Sequence, residues 1–400
     1  DISIRLRDTM VQRIMLNRWT LRMSNLSEMN RIKKLLLVVL LSSVAGVTSF
    51  AQNINKTDVK SIMKRVADWQ IANPNKDAEH DDLDWTHAAL YMGMVDWADL
   101  TEREDSDSTY YKWLLRIGQR NHFQVGKRMY HADFIAVGQP FIDLYIKYGN
   151  KKMIAPVMAR ANWIVDNPAE TTLELDYRKS ETLDRWSWCD ALFMAPPVYA
   201  KLYALTQNKK YLDFMNKEYK VTYDFLYDKD ELLFYRDWRY FDKKEANGKK
   251  VFWGRGNGWV LGGLAEILQV LPKEESSYDF YKQLFVTLAT RVAELQSPDG
   301  YWHASLLDPA SYPSPETSAT GFIVYALAYG VNEGLLDKAS FMPAIEKGWK
   351  ALVDAVEPDG KLGYVQPIGA DPCKVTREMT EVYGVGAFLL AGCQIYKMIN

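Results

Sequence analysis

The chain has 400 residues, a formal net charge of −2 and 48% hydrophobic residues, which excludes intrinsic disorder and leaves neither a basic stripe for nucleic acid nor an acidic tail. Its three cysteines, Cys189, Cys373 and Cys393, lack C-x-x-C spacing, and its five histidines form no H-x-x-x-H or H-E-x-x-H, so neither a disulfide framework nor a metal site has support. A small-molecule partner without a cofactor is expected, and 13 Trp with 24 Tyr offer flat faces suited to sugar rings as well as to a core.

Met29 opens MNRIKKLLLVVLLSSVAGVTSFAQ, with a basic start at Arg31, Lys33 and Lys34, an apolar run from Leu35 to Leu41 and a small-x-small site at Ser49-Phe50-Ala51. This pattern is that of a secretory signal peptide at 29–51, cleaved near Ala51, with residues 1–28 an extension preceding the native start. The mature chain is expected to be secreted or periplasmic, with no membrane span. Residues 52–400 show no linker and form one expected domain.

Along that domain, strand-like alternation is scarce and helical spacing of apolar residues recurs. Six apolar segments, each led by a polar or aromatic cluster, begin at Asp84, His131, Trp188, Trp253, Glu316 and Glu378. Six more charged amphipathic stretches alternate with them, around 57–72, 109–121, 150–166, 209–226, 277–296 and 339–355. Small residues such as Gly262, Gly263, Gly386 and Ala391 suit close packing of the apolar set. The alternation predicts an all-α (α/α)6 barrel with six inner and six outer helices, whose polar inner-helix starts open at one mouth. A generic helical array with scattered caps is the alternative.

Candidate site residues follow in chain order. In HADFIAVG, Asp133 suits a helix cap, a substrate ligand or a like-charged neighbour of a second carboxylate, and His131 a structural hydrogen bond or a base. In WSWCDALFMAPP, Asp190 stands among Trp186, Trp188, Leu192, Phe193 and Met194. It is either a cap or an acid whose proton an apolar setting retains near neutral pH. Pro196 and Pro197 predict a kink or a late helix start just beyond it. Arg236 and Asp237 form an exposed ion pair or, facing the mouth, a carboxylate ligand. The stretch FWGRGNGW at 252–259 departs from the phosphate-loop pattern; Arg255 offers a planar fork for a carboxylate, and Trp253 and Trp259 offer stacking faces or core. Glu316, after two prolines, reads first as a helix-start residue.

The ordered segments H-A-D-x-x-x-x-G at 131–138, W-x-D-x-L-F-M-A-x-P at 188–197 and W-x-R-G-N-G-W at 253–259 resemble glycoside hydrolase families 105 and 88, the unsaturated rhamnogalacturonyl and glucuronyl hydrolases. The resemblance runs from about Asp84 to the C-terminus and implies an (α/α)6 barrel. It also implies removal of a terminal 4,5-unsaturated uronic acid from lyase-generated pectin-type or related acidic oligosaccharides by hydration of the C4=C5 enol ether. Residue by residue, it implies Asp190 as general acid and then base, Asp133 as a contact to the unsaturated sugar, Trp188 as a stacking ring, and Trp253, Arg255 and Trp259 as the sugar-binding loop. Arg236 stands where rhamnogalacturonyl members carry His, which bears on the identity of the uronate or leaving sugar. Other readings are an inverting glycosidase or an epimerase on the same barrel, or a non-catalytic glycan-binding barrel; paired histidines at the mouth would favour the epimerase, and the last has no need of an acid at 190.

Overall fold

The computed structural model describes residues 54–74 and 81–399. The expected signal peptide and extension, 1–51, lie outside the described residues. Lys56–Asn400 makes one compact unit.

The helices run α1 (Lys56–Ala72), α2 (Trp85–Asp105), α3 (Thr109–Arg120), α4 (Ala132–Ile135), α5 (Gly138–Tyr148), α6 (Ala155–Asp166), α7 (Ala191–Met194), α8 (Pro196–Thr206) and α9 (Lys209–Leu226). A short hairpin of β1 (Tyr227–Asp228) and β2 (Leu233–Phe234) follows, then α10 (Gly254–Val270), α11 (Tyr278–Glu294), α12 (Thr317–Asn332), α13 (Lys338–Asp354) and α14 (Val382–Met398).

Two patterns of side chains sort these helices. In α10 every residue from Gly254 to Leu268 is buried, and in α12 every residue from Thr317 to Gly330. By contrast α3 buries only Tyr110, Tyr111, Leu114, Ile117 and Gly118, one stripe at helical spacing. The all-round apolar helices pack on one another in sequence, α2 on α5, α5 on α8, α8 on α10, α10 on α12, α12 on α14, and α14 back on α2. The amphipathic ones lie outside, each against an inner neighbour. Six inner and six outer positions therefore close into the (α/α)6 barrel, with α4–α5 and α7–α8 each filling one inner position. The first outer helix, α1, packs on the last inner one, α14, so the ring is completed by the two ends of the domain.

Close approach in the inner ring depends on missing side chains. A Cβ on Gly386 would collide with the Ala89 carbonyl of α2, and one on Gly263 with the Leu192 carbonyl of α7. The predicted break beyond Asp190 is real: α7 stops at Met194 and α8 restarts with proline at its first turn. Pro197 cannot donate to the Phe193 carbonyl. Gln139, at the start of α5, supplies the donor instead, its Nε2 reaching Phe193 O at 2.8 Å and Met194 O at 3.1 Å. Such a substitution is required because a buried carbonyl left without a partner costs about 1–3 kcal/mol.

Candidate active site

The inner helices start at one end of the barrel. Arg255 of α10 donates to Ser318 Oγ of α12 at 3.4 Å, its guanidinium lies 4.9 Å from the Tyr383 ring of α14, and Tyr383 stacks on Trp85 of α2 at 5.3 Å. Asp133, at the start of α4, feels the charges of Asp84, which precedes α2, and of Asp190, which precedes α7.

Arg236 reaches this mouth through the hairpin. Leu232 takes a positive φ of 58° to close the turn, and Asp228 accepts the backbone N–H groups of Asp230 and Glu231. Asn257, within the glycine-rich stretch, then clamps β2: its Oδ1 accepts from Phe234 N at 2.8 Å and its Nδ2 donates to Phe234 O at 3.0 Å. Two residues on, the Arg236 carbonyl accepts from Cys189 N at 2.8 Å. Residue 236 is thus sewn to residue 189, and its guanidinium stands beside Asp190, with Nε 3.8 Å from Oδ1.

Asp190 is not spent as a cap. It precedes α7 without making a side-chain cap hydrogen bond, and Oδ1 instead accepts from the Cys189 thiol at 3.3 Å. Burial pushes its carboxyl above the ordinary range, offset in part by Arg236, Cys189 and Arg255. Arg236 is buried too, and its Nη1 donates to Asp237 at 2.8 Å and to the Tyr177 hydroxyl at 3.0 Å, while Nε has no hydrogen-bond partner among the described residues. Burial opposes ionisation of Asp237, but Arg239 and Arg236 hold its carboxyl low. Of the two readings of Arg236 and Asp237, the exposed ion pair is corrected to a buried one, because Asn257 and Cys189 draw the hairpin down onto the barrel.

Asp133 keeps 20% of its side chain exposed and has a carboxyl pushed up to about 8, first by burial and then by the charges of Asp190 and Asp84. The His131 ring packs on Trp188 at 4.8 Å. Burial, with Arg128 and Arg236, lowers its pKa to about 3, so the ring is neutral. Its Nδ1 lies 3.2 Å from Asp133 N, which donates to it and leaves the ring proton on Nε2. The recess thus joins two carboxyls raised by burial to a buried guanidinium whose Nε stands 3.8 Å from Asp190, an arrangement suited to acid–base work on an anionic substrate.

Other expected residues take different parts. Trp259 is 0% exposed, wedged between Phe322 at 4.1 Å and Phe193 at 4.7 Å, so the stacking role expected of it is corrected to core packing. Trp188 and Trp253 are buried as well and present no open ring face; Trp253 donates to Gln366 Oε1 at 3.0 Å and lies under Arg255. Arg255, expected as a carboxylate fork, directs Nη1 to Gln366 O at 2.6 Å and Nη2 to Pro367 O at 2.9 Å, holding the 366–367 segment. Glu316 is a cap, accepting from Ser318 N, Ala319 N and Gln366 N. Cys189, Tyr177, Asp237, Arg239 and Asn257 complete the site, and of these only Asn257, in the glycine-rich motif, and the Arg236–Asp237 dipeptide carried a sequence signal.

Comparison with known proteins supplies the family. The Formosa agariphila protein named unsaturated 3S-rhamnoglycuronyl hydrolase is 39% identical over 379 residues, covering 92% of this chain and 98% of its own. A solved polysaccharide lyase, BACCELL_00875, is 34% identical with a TM-score of 0.76, covering 86% of this chain and 98% of that one. A glycosyl hydrolase family 88 structure from Bacteroides vulgatus is 30% identical with a TM-score of 0.76, covering 86% and 100%. The profile of Glycosyl Hydrolase Family 88 matches residues 55–399, which is the whole barrel from its first outer helix to its last inner one. This chain is a glycoside hydrolase and belongs to glycosyl hydrolase family 88.

Proposed function

We propose that this protein removes a terminal 4,5-unsaturated uronic acid from lyase-generated acidic oligosaccharides by hydrating the C4=C5 enol ether, with Asp190 as acid and then base. The observation that carries this reading is an uncapped, buried Asp190 beside Asp133 and the unpartnered Nε of Arg236. Asp190 gives its proton to C4. As carboxylate it takes a proton from the water whose oxygen adds to C5. The C5 hemiketal then opens, leaving a hemiacetal at C1 that collapses to release the next sugar. Asp133, with its raised carboxyl, and neutral His131 face the uronate, and Arg236 offsets its charge. The Formosa relative's name supports a rhamnose-containing leaving group. The basic, apolar and small-x-small pattern of 29–51 supports export of the chain.

The test is the ultraviolet absorbance of the conjugated enol ether in unsaturated disaccharides. Hydration bleaches it, whereas a lyase acting on saturated chains would create it. The wild type is expected to bleach a disaccharide of unsaturated uronate on rhamnose, and Asp190→Asn to lose about 10²–10⁴ of kcat while still unfolding cooperatively. An Asn variant with full activity, or a wild type that creates the absorbance from saturated polymer, would overturn the assignment.

A further inference from the structure

The rings expected to stack on sugar are buried, yet the mouth has open aromatic surface supplied by two other segments. Tyr177, on the loop between α6 and α7, is 55% exposed, and Trp238, just after the hairpin, is 37% exposed. Each is fastened. The Tyr177 hydroxyl pairs with Arg236 Nη1 at 3.0 Å, and Trp238 Nε1 donates to Leu175 O at 3.0 Å, which ties the two segments together. The Arg239 guanidinium lies 4.8 Å from the Tyr177 ring and is itself held by Asp237, with Nε at 2.7 Å and Nη2 at 2.9 Å. The Tyr177 ring is therefore backed by a fixed cation while the residue stays 55% exposed.

This placement has a consequence for recognition. The recess around Asp190 and Asp133 leaves little side-chain surface uncovered, 11% and 20%, which suits a single sugar ring. Arg236 stands beside Asp190 and is buried, and Tyr177, bonded to its Nη1, is the exposed group next in line from the recess. A pyranose presents an apolar C–H face that an aromatic ring accepts at little entropic cost, because the ring has few rotatable bonds and is held here by two contacts.

We propose that Tyr177, backed by Arg239, is the platform for the sugar released by the reaction, and so determines which leaving sugars are accepted. The proposal rests on the hydration reading above. It is tested with two substrates sharing the unsaturated uronate: a disaccharide with rhamnose as leaving group, and the methyl glycoside, which has no second ring. Tyr177→Ala is expected to reduce the preference for the disaccharide, as a ratio of kcat/KM values, by about fivefold to tenfold, chiefly through KM. Tyr177→Phe, which keeps the ring and loses only the hydroxyl, is expected to retain the preference. If the Ala variant loses both substrates in equal proportion, or neither, or if Phe loses the preference as Ala does, the ring face does not read the leaving sugar. Failure of the hydration reading itself would look different, since the wild type would bleach neither substrate.

Discussion

Two clusters of buried carboxylates occupy the barrel, one at its mouth and one farther along the inner helices, and they differ in what is left unpaired. Asp96 of α2 lies 12 positions beyond the mouth residue Asp84, about 18 Å along a helix. It shares its surroundings with Asp143, Lys201 and Glu266 from the next three inner positions. Its carboxyl is pushed up to about 8 by burial and by its acidic neighbours, as far as that of Asp133 at the mouth. There the likeness stops. Lys201 Nζ pairs with Asp143 at 2.7 Å and approaches Glu266 at 3.9 Å, and the Tyr325 hydroxyl donates to Glu266 at 2.5 Å. At the mouth the cation instead keeps a buried N–H without a partner. A cleft of about 630 Å³ even opens beside the distal cluster, lined by Asp96, Asp99 and Asp143 with Arg103 and Lys147. Neither a raised pKa nor cavity size separates the two; the uncapped acid facing an unsatisfied guanidinium does.

The contrast can be broken at either end. Lys201→Met is expected to cost about 3–5 kcal/mol of stability by stranding its carboxylate partners, while kcat/KM of the folded fraction holds. Denaturant unfolding alongside the bleaching assay checks this, and a selective loss of kcat would place chemistry at the distal cluster. Arg236→Gln acts the other way. Arg236 favours the ionised form of Asp190, so its removal keeps the acid protonated to higher pH. The alkaline limb of kcat/KM is then expected to move to higher pH, and a limb that stays or falls would refute the electrostatic role.

Asp96→Asn is expected to change stability with pH and leave the chemistry at the mouth alone. An aspartate that ionises near pH 3.9 when unfolded and near 8 when folded contributes stability that is complete below the unfolded value and is lost as pH rises to the folded one. Asn does not titrate, so the variant's advantage over wild type, read as a difference in Tm, is expected to grow between about pH 4 and 8. A difference independent of pH would show that Asp96 is ionised in the folded protein.

Much of the architecture was legible in the sequence because it is written in local periodicity. The stretches around 109–121 and 209–226 became Thr109–Arg120 and Lys209–Leu226, and the glycines at 263 and 386 lie where inner helices touch. The catalytic candidate was legible too, since an acid amid Trp186, Trp188 and Phe193 is anomalous in any fold. The burial of Trp259 was not: a tryptophan beside a glycine-rich turn has the same local pattern whether it faces sugar or Phe322. Arg236 was ambiguous for a related reason, its environment being set by Asn257 and Cys189 at long sequence separation. Tyr177 lies in a polar loop without periodicity, and Gln139 gains its meaning only from prolines some 58 positions away, at 197.

The pairing of α1 with α14 has a consequence for how the chain reaches this state. The inner ring gains its last member and its closing outer helix only when segments starting at Lys56 and ending at Met398 meet. Such a contact has nearly the longest loop the domain allows, and loops of that kind close slowly compared with the helical hairpins between them. During synthesis the hairpins carrying Asp133, Asp190 and Arg236 emerge well before Tyr383, whose ring lies against Arg255 at the mouth. The recess therefore acquires its final walls late, and activity should appear in step with ring closure rather than with the formation of helix.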